Sequence, residues 1–134
     1  MLEISAPSFG PAFSGNLSYA VGSDHGGYLF QAGFTPLGGY IQAVNGTTLS
    51  AIAWQSGGVS HHSVYAIGGD NGVYVSTDGG AFTALGGYAL DISAGLDASG
   101  NPEVYAIGGD NSLFVNNGGG FVGLAATSSR SAAR

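Results

Sequence analysis

The amino-acid sequence predicts an all-β protein built from three copies of one four-stranded unit. The eight-residue segment at 64–71, VYAIGGDN, recurs letter for letter at 104–111, and a weaker copy occupies 18–25. Glycine supplies 26 of the 134 residues, interspersed with tyrosine, phenylalanine and aliphatic residues. Short apolar segments between glycine-rich turns are typical of antiparallel strands, and a period of about forty residues indicates a repeat architecture.

Four apolar segments follow one another in the same order in each unit. The predicted first strands lie at 2–6, 42–45 and 90–94, and the second strands surround Tyr19, Tyr65 and Tyr105. The third strands are at 28–30, 73–75 and 113–115, and the fourth begin at Phe34, Phe82 and Phe121. Two of the fourth segments continue into Leu-Gly-Gly-Tyr, ending at Tyr40 and Tyr88, whereas the third continues into Leu-Ala-Ala-Thr. The pattern predicts twelve strands and no helix.

The repeat divides the chain into unit 1 (1–40), unit 2 (41–88), unit 3 (89–126) and a small, polar tail (127–134) that we expect to be disordered. Unit 2 is the longest, and we predict that its extra length forms a loop insertion near 47–63. This stretch contains the single tryptophan, Trp54, and the pair His61 and His62. Insertions of this kind map to one face of a repeat fold, often the binding face.

The body of the chain carries no permanent positive charge. There is no lysine, and the two arginines, Arg130 and Arg134, lie in the tail, against eight acidic residues. Without cations the body cannot neutralise phosphates, which argues against binding to nucleic acid or to an anionic membrane. The absence of cysteine excludes disulfides, thiolate zinc sites and a cysteine nucleophile. The lysine-free, glycine-rich composition favours an extracellular or cell-surface location.

Three architectures suit a threefold repeat of four strands: blades of a β-propeller, a β-trefoil and a β-prism. The motif order, Ile-Ser-Ala-Gly, Val-Tyr-Ala-Ile-Gly-Gly-Asp-Asn, Leu-Phe-Val and Phe-x-x-Leu-Gly-Gly-Tyr, resembles the tectonin-type β-propeller repeat between Leu2 and Leu124. Tyrosine or phenylalanine stands where that family has tryptophan. The double glycine also resembles kelch repeats, and the segment 76–82 resembles an Asp-box turn. The resemblance favours propeller blades, with the trefoil and prism as alternatives.

A propeller interpretation has a consequence for assembly. Three blades cannot close a ring, because propellers have at least about four, and an open arc exposes apolar blade faces. We therefore predict a homodimer in which two chains close head to tail into a six-bladed ring. A larger ring, or a position within a longer protein, would also cover these faces, whereas a monomeric trefoil or prism would not expose them.

No catalytic signature is present. On a strand His61 and His62 would point to opposite faces and could not share a metal ion; on a loop they could, but no acid lies close in the sequence. His25 occupies the turn position of Asn71 and Asn111. No serine lies in a nucleophile motif, and nothing brings a pair of carboxylates together for glycoside hydrolysis. The Asp-box resemblance suggests sialidase, which holds its substrate with arginines that this body lacks. We expect no enzyme activity, cofactor or metal.

The repeated tyrosine, aspartate and asparagine favour binding of neutral glycans, with one site per blade or blade junction, where several weak sites give avidity. The candidate ligand-binding residues are Asp24, Trp54, Tyr65, Asp70, Asn71, Tyr105, Asp110 and Asn111. The resemblance to tectonin-type propellers, which often act as lectins, also implies glycan binding. The same residues also fit turn and core positions. The alternative function is therefore a structural or self-assembly module without a small-molecule ligand.

Overall fold

The computed structural model describes residues 3–5, 18–31, 33–43 and 47–125, and the predicted disordered tail lies outside these ranges. Within them the chain forms twelve strands and no helix, which confirms the all-β prediction, and none of it is a helix that could span a membrane. The strands are β1 (Glu3–Ser5), β2 (Ser18–Val21), β3 (Gly27–Phe30), β4 (Phe34–Gly38), β5 (Leu49–Ser56), β6 (Val59–Ile67), β7 (Val73–Thr77), β8 (Thr83–Gly86), β9 (Ala89–Leu96), β10 (Pro102–Gly108), β11 (Leu113–Asn116) and β12 (Phe121–Ala125).

The strands form three antiparallel sheets, each made of four strands that are consecutive in the sequence. Sheet 1 has the order β1-β2-β3-β4, sheet 2 the order β5-β6-β7-β8, and sheet 3 the order β9-β10-β11-β12. Each sheet is antiparallel throughout, as expected for strands joined by hairpins. A single bridge from Ile41 to Gly68 ties the connection after sheet 1 to sheet 2.

The turn between the second and third strands of each sheet has the same backbone conformation. His25, Asn71 and Asn111 adopt φ angles of 64°, 64° and 66° at equivalent positions. Positive φ is disfavoured for most residues and tolerated by asparagine, aspartate and histidine in tight turns. His25 therefore serves as the turn residue that its position in the repeat predicts.

The structure corrects two predictions for unit 2. The expected loop insertion near 47–63 is instead the long hairpin of β5 and β6, in which Trp54 pairs with His61 across the strands. Its two-residue turn is Gly57-Gly58, with φ angles of 57° and 78°, the combination that favours tight hairpins. The first strand of sheet 2 is β5 rather than 42–45; Gln42 and Ala43 are not in a strand, and 44–46 lie outside the described residues.

Sheet 2 is packed on both faces, and each face contributes to a separate hydrophobic cluster. Side chains alternate along β6, so Val64 and Ala66 pack with Tyr19 and other residues of sheet 1. Tyr65 and Ile67 face the other way and pack against sheet 3. The core thus consists of two junctions, between sheets 1 and 2 and between sheets 2 and 3, and these junctions position the cavities described next.

Candidate ligand sites at the sheet junctions

One cavity opens at equivalent positions of each junction. Cavity A, of about 440 Å³, lies between sheets 1 and 2 and is lined by Tyr40, Asp70, Tyr74, Phe82 and the glycines at 39, 68 and 69. Cavity B, of about 380 Å³, lies between sheets 2 and 3 and is lined by Tyr88, Asp110, Phe114, Phe121 and the glycines at 87, 108 and 109. Both volumes fall within the range of small-molecule sites, about 300–1,000 Å³.

The two cavities are built from the same positions of the repeat. Each takes a tyrosine from the Leu-Gly-Gly-Tyr connection that leaves one sheet. The following sheet supplies a Gly-Gly-Asp turn between its second and third strands, together with a phenylalanine at or just before the start of its fourth strand. Because the repeat places these groups on two sheets, a complete site exists only where one sheet follows another.

An exposed tyrosine forms the aromatic wall of each cavity. Tyr40 and Tyr88 have the same exposed fraction, 57%. The ring of Tyr40 lies so close to Gly69 that a Cβ there would be 3.1 Å from the ring, and the equivalent distance from Gly109 to Tyr88 is 3.3 Å. Tyr40 also stacks on His25, with ring centroids 4.4 Å apart. A side chain at either glycine would meet the ring, so the glycine turn leaves room for the tyrosine.

Asp70 supplies hydrogen-bond acceptors to cavity A and is held by its own turn. Its Oδ1 accepts the backbone N–H of Gly72 at 2.9 Å, and its Oδ2 accepts the hydroxyl of Tyr74 at 2.9 Å. These two hydrogen bonds hold the pKa of Asp70 below its ordinary value. A carboxylate offers about four lone-pair positions, so each oxygen can accept a further hydrogen bond from a ligand.

Asp110 is the corresponding hydrogen-bond acceptor in cavity B, but its own donors differ from those of Asp70. Its Oδ1 accepts the backbone N–H of Ser112 at 3.0 Å, and the backbone and hydroxyl of Ser112 lower its pKa. Phe114 stands where cavity A has Tyr74, so the aromatic hydroxyl is missing. Asp24 repeats the first pattern in sheet 1, where Gly26 and Tyr28 donate to its carboxylate and lower its pKa.

A second group of polar side chains joins sheets 1 and 2 near the β5–β6 hairpin. The hydroxyl of Tyr19 and Nδ1 of His62 are 2.5 Å apart, and burial lowers the pKa of His62. Asp78 accepts the backbone N–H of His62 at 3.0 Å and lies 2.6 Å from Nδ1 of His61. Burial acts to raise the pKa of Asp78, but these hydrogen bonds outweigh it and the pKa lies below its ordinary value.

Trp54 belongs to this second group rather than to a cavity. Its ring stacks on His61, with centroids 4.5 Å apart, and its indole N–H donates to the hydroxyl of Ser63 at 3.1 Å. His61 and His62 have different aromatic partners, Trp54 and Tyr19, but both histidines lie beside Asp78. In the described ranges no three His, Cys, Asp or Glu side chains are grouped to hold a metal ion.

The structure brings some of the sequence-predicted site residues into the cavities and places others elsewhere. Asp70 and Asp110 line cavities A and B. Asn71 is part of the β6–β7 turn, and its side chain donates to the carbonyl of Ala89 at 3.1 Å. Tyr65 is in the core, where burial raises its pKa to about 12. Outside both cavities lie Asp24, Trp54, Asn71, Tyr105 and Asn111.

Several cavity residues are absent from the sequence-based candidates. They are Tyr40, Tyr74, Phe82, Tyr88, Phe114 and Phe121. The sequence signal for the two tyrosines was the repeated Leu-Gly-Gly-Tyr. Glycines at positive φ, such as Gly39 and Gly87 at 75° and 76°, end the strand, so that the following tyrosine lies outside it. What the sequence could not supply was the partner of each tyrosine, since Tyr40 and Asp70 meet across a junction between two sheets.

No family model and no curated protein matches the chain. Among solved structures, the chain is similar to a fucose lectin from Kordia zhangzhouensis determined in complex with methyl-fucoside. The two share 18% sequence identity with a TM-score of 0.53, over 92% of this chain and 98% of that one. At this identity the likeness concerns the fold alone: the protein shares an all-β fold with that structure.

Proposed function

We propose that the protein is a non-catalytic module that binds neutral glycans in cavities A and B. The observation that carries the proposal is the pairing, repeated at both junctions, of an exposed tyrosine with an ionised aspartate. Sugars present C–H faces that pack on aromatic rings and hydroxyls that donate to carboxylates. Tyr40 and Asp70 supply these two surfaces in cavity A, and Tyr88 and Asp110 supply them in cavity B.

The charge of the chain supports an uncharged ligand. The described residues include neither lysine nor arginine, so an anionic sugar would find no cationic side chain beside either cavity. The aspartates, by contrast, have lowered pKa values and remain acceptors across the neutral range. The lectin-like fold and the resemblance to tectonin-type repeats point in the same direction.

We further propose that the three sheets are β-propeller blades and that a second copy completes a six-bladed homodimer. Sheets of four consecutive strands packed face to face are the architecture of propeller blades. Two copies give six blades, the only multiple of three within the usual range of about four to eight. A ring of this size would carry two cavities per chain, and avidity on a multivalent glycan would follow.

The experiment is a glycan array followed by calorimetric titration of the best neutral sugar. Replacing the exposed tyrosine of both cavities, Tyr40→Ala with Tyr88→Ala, is expected to weaken binding by up to about tenfold, because an aromatic contact contributes about 0.5–1.5 kcal/mol. The matched control is Leu96→Ala, which truncates an exposed apolar side chain outside both cavities. Binding that survives the double substitution would overturn the assignment of the cavities.

A structural module without a ligand is the second candidate function. The observation in its favour is the set of exposed apolar side chains on the outer faces of sheets 1 and 3, which suit self-association. An array on which no sugar binds the wild-type chain, together with a defined oligomer in solution, would favour this function over glycan binding.

A further inference from the structure

The outer face of sheet 3 repeats a surface that is buried elsewhere in the same chain. Tyr19 of sheet 1 and Tyr65 of sheet 2 are 1% and 5% exposed, because the following sheet covers them. Their equivalent in sheet 3, Tyr105, is 36% exposed. Leu124 is likewise exposed, whereas its equivalents Leu37 and Leu85 pack against the two clusters. We call this surface, Tyr105 with Leu124 and the half-buried Ile107 and Leu113, the trailing face.

The outer face of sheet 1 also exposes residues whose equivalents in the other two sheets are buried or packed. Phe34 is 62% exposed, although its equivalents Phe82 and Phe121 pack against the clusters at the two junctions. Phe30 is exposed at a position where sheet 2 has the buried Ser76 and sheet 3 the buried Asn116. The two phenylalanine rings lie against each other, with centroids 5.0 Å apart. We call Phe30 and Phe34 the leading face.

The internal junctions show how a leading face fits a trailing face. The ring of Phe82 on sheet 2 reaches across to sheet 1, where a Cβ on Gly27 or Gly39 would lie 3.0 or 3.4 Å from it. Phe121 does the same over Gly87 at 3.1 Å. Phe82 and Leu37 line the same cavity from opposite sheets. Each junction is therefore a heterologous contact, in which one surface meets a different surface.

We propose that the leading face of one copy docks on the trailing face of a second copy, with Phe34 placed against Leu124 as Phe82 is placed against Leu37. The contact continues the two junctions already present in the chain, so the partner it fits is another copy of the same unit. Two such contacts close the ring of six sheets. The inference depends on the proposed homodimer for its partner but not on the proposed ligand.

A pair of charge substitutions tests the pairing of the two faces. Phe34→Lys and Leu124→Glu each place an unpaired charge in both contacts of a ring made from one variant. Light scattering should therefore give each variant alone the 13.2 kDa mass of one chain. A one-to-one mixture forms one wild-type contact and one Lys–Glu contact, and should recover twice that mass. Val59→Lys, an equally exposed position at the hairpin of sheet 2, should leave the wild-type mass unchanged.

Each other outcome contradicts the proposal in a distinct way. A wild-type chain that is monomeric overturns the homodimer and the face pairing together. A dimeric wild type whose single variants stay dimeric, or whose mixture fails to associate, overturns the face pairing alone. Mixing also covers variants that unfold on their own, because association should restore their circular dichroism. Glycan binding is titrated separately on the same samples, since cavities A and B lie within one chain.

Discussion

The junction between sheets 1 and 2 and the junction between sheets 2 and 3 share their apolar contacts and differ in their polar ones. Both bury a tyrosine of the second strand and have a cavity lined by an exposed tyrosine and an aspartate. At the first junction the buried tyrosine bonds to His62, whereas at the second the buried Tyr65 lies near the charge of Glu103. The apolar contacts define the junction, and the polar side chains give each junction its own chemistry.

The largest expected effect is on the buried tyrosine of the second junction. Tyr65→Ala should lower the free energy of unfolding by about 3–5 kcal/mol, the usual cost of truncating a buried aromatic side chain. Tyr105→Ala, made in the Phe34→Lys background so that no partner covers it, should cost clearly less because Tyr105 is partly exposed. Urea denaturation measures both. Equal losses would mean that Tyr65 is not a core residue, and would return it to the candidate ligand contacts.

Acid should act on the first junction and leave the second unaffected in the range of histidine titration. Burial lowers the folded-state pKa of His62, and the groups that face it are Tyr19, His61 and Asp78. The unfolded chain therefore takes up a proton more readily. Stability is fully present above the unfolded pKa of about 6.5 and is lost as the pH falls from there toward the folded pKa. Pro102, which cannot titrate, holds the equivalent position in sheet 3.

Thermal melts between pH 8 and 5, values chosen to bracket the histidine range of about 6.5, measure this difference. The melting temperature of the wild type should fall on acidification, and that of His62→Gln, which retains an acceptor for the Tyr19 hydroxyl, should fall less. His25→Gln is the control, because His25 contacts Tyr40 and the carbonyl of Ile41 rather than Tyr19 or Asp78. Parallel curves for the wild type and His62→Gln would exclude His62 as the source of the acid sensitivity.

Much of the fold could be predicted because the same pattern of strands and turns occurs in all three units of the sequence. The strands around Tyr19, Tyr65 and Tyr105 and the turns at Asn71 and Asn111 lie where local propensity places them. The sequence predicts a loop where the structure has the β5–β6 hairpin, although Gly57-Gly58 is a recognisable turn signal. The sequence of this hairpin lacks the regular alternation of a half-buried strand, so the pattern alone does not predict strands there. Cross-strand pairs such as Trp54 with His61 stabilise the hairpin instead.

The candidate site was less predictable. The acidic turn residues Asp70 and Asp110 repeat visibly, so they could be named from the sequence. Tyr40 and Tyr88 repeat as well, but they lie outside the strands, and their role depends on which sheet comes next to them. Tyr65 and Asp70 are close in the sequence, yet one points into the core and the other into a cavity. The direction of a side chain at a junction is a property of packing, not of local pattern.

The smallest expected effect concerns the aspartates of the two cavities. Tyr74→Phe makes cavity A resemble cavity B and should raise the pKa of Asp70, because the carboxylate loses a donor. Phe114→Tyr is the reciprocal change and should lower the pKa of Asp110. Titration of the carboxyl carbons by NMR measures both shifts. Unchanged values in both variants would show that the tyrosine hydroxyl does not hold the carboxylate in solution.

The sequential order of the strands within each sheet has a consequence for how the chain reaches its native state. Among the twelve described strands, every ladder joins neighbours along the chain and no strand crosses from one sheet to another. Pairing between consecutive strands keeps the hydrogen-bonded contacts within each sheet local, so the hairpins can form before the sheets dock. The slower events are then the docking of one formed sheet on the next. If a second copy closes the ring, the last docking is bimolecular, and its rate rises with protein concentration.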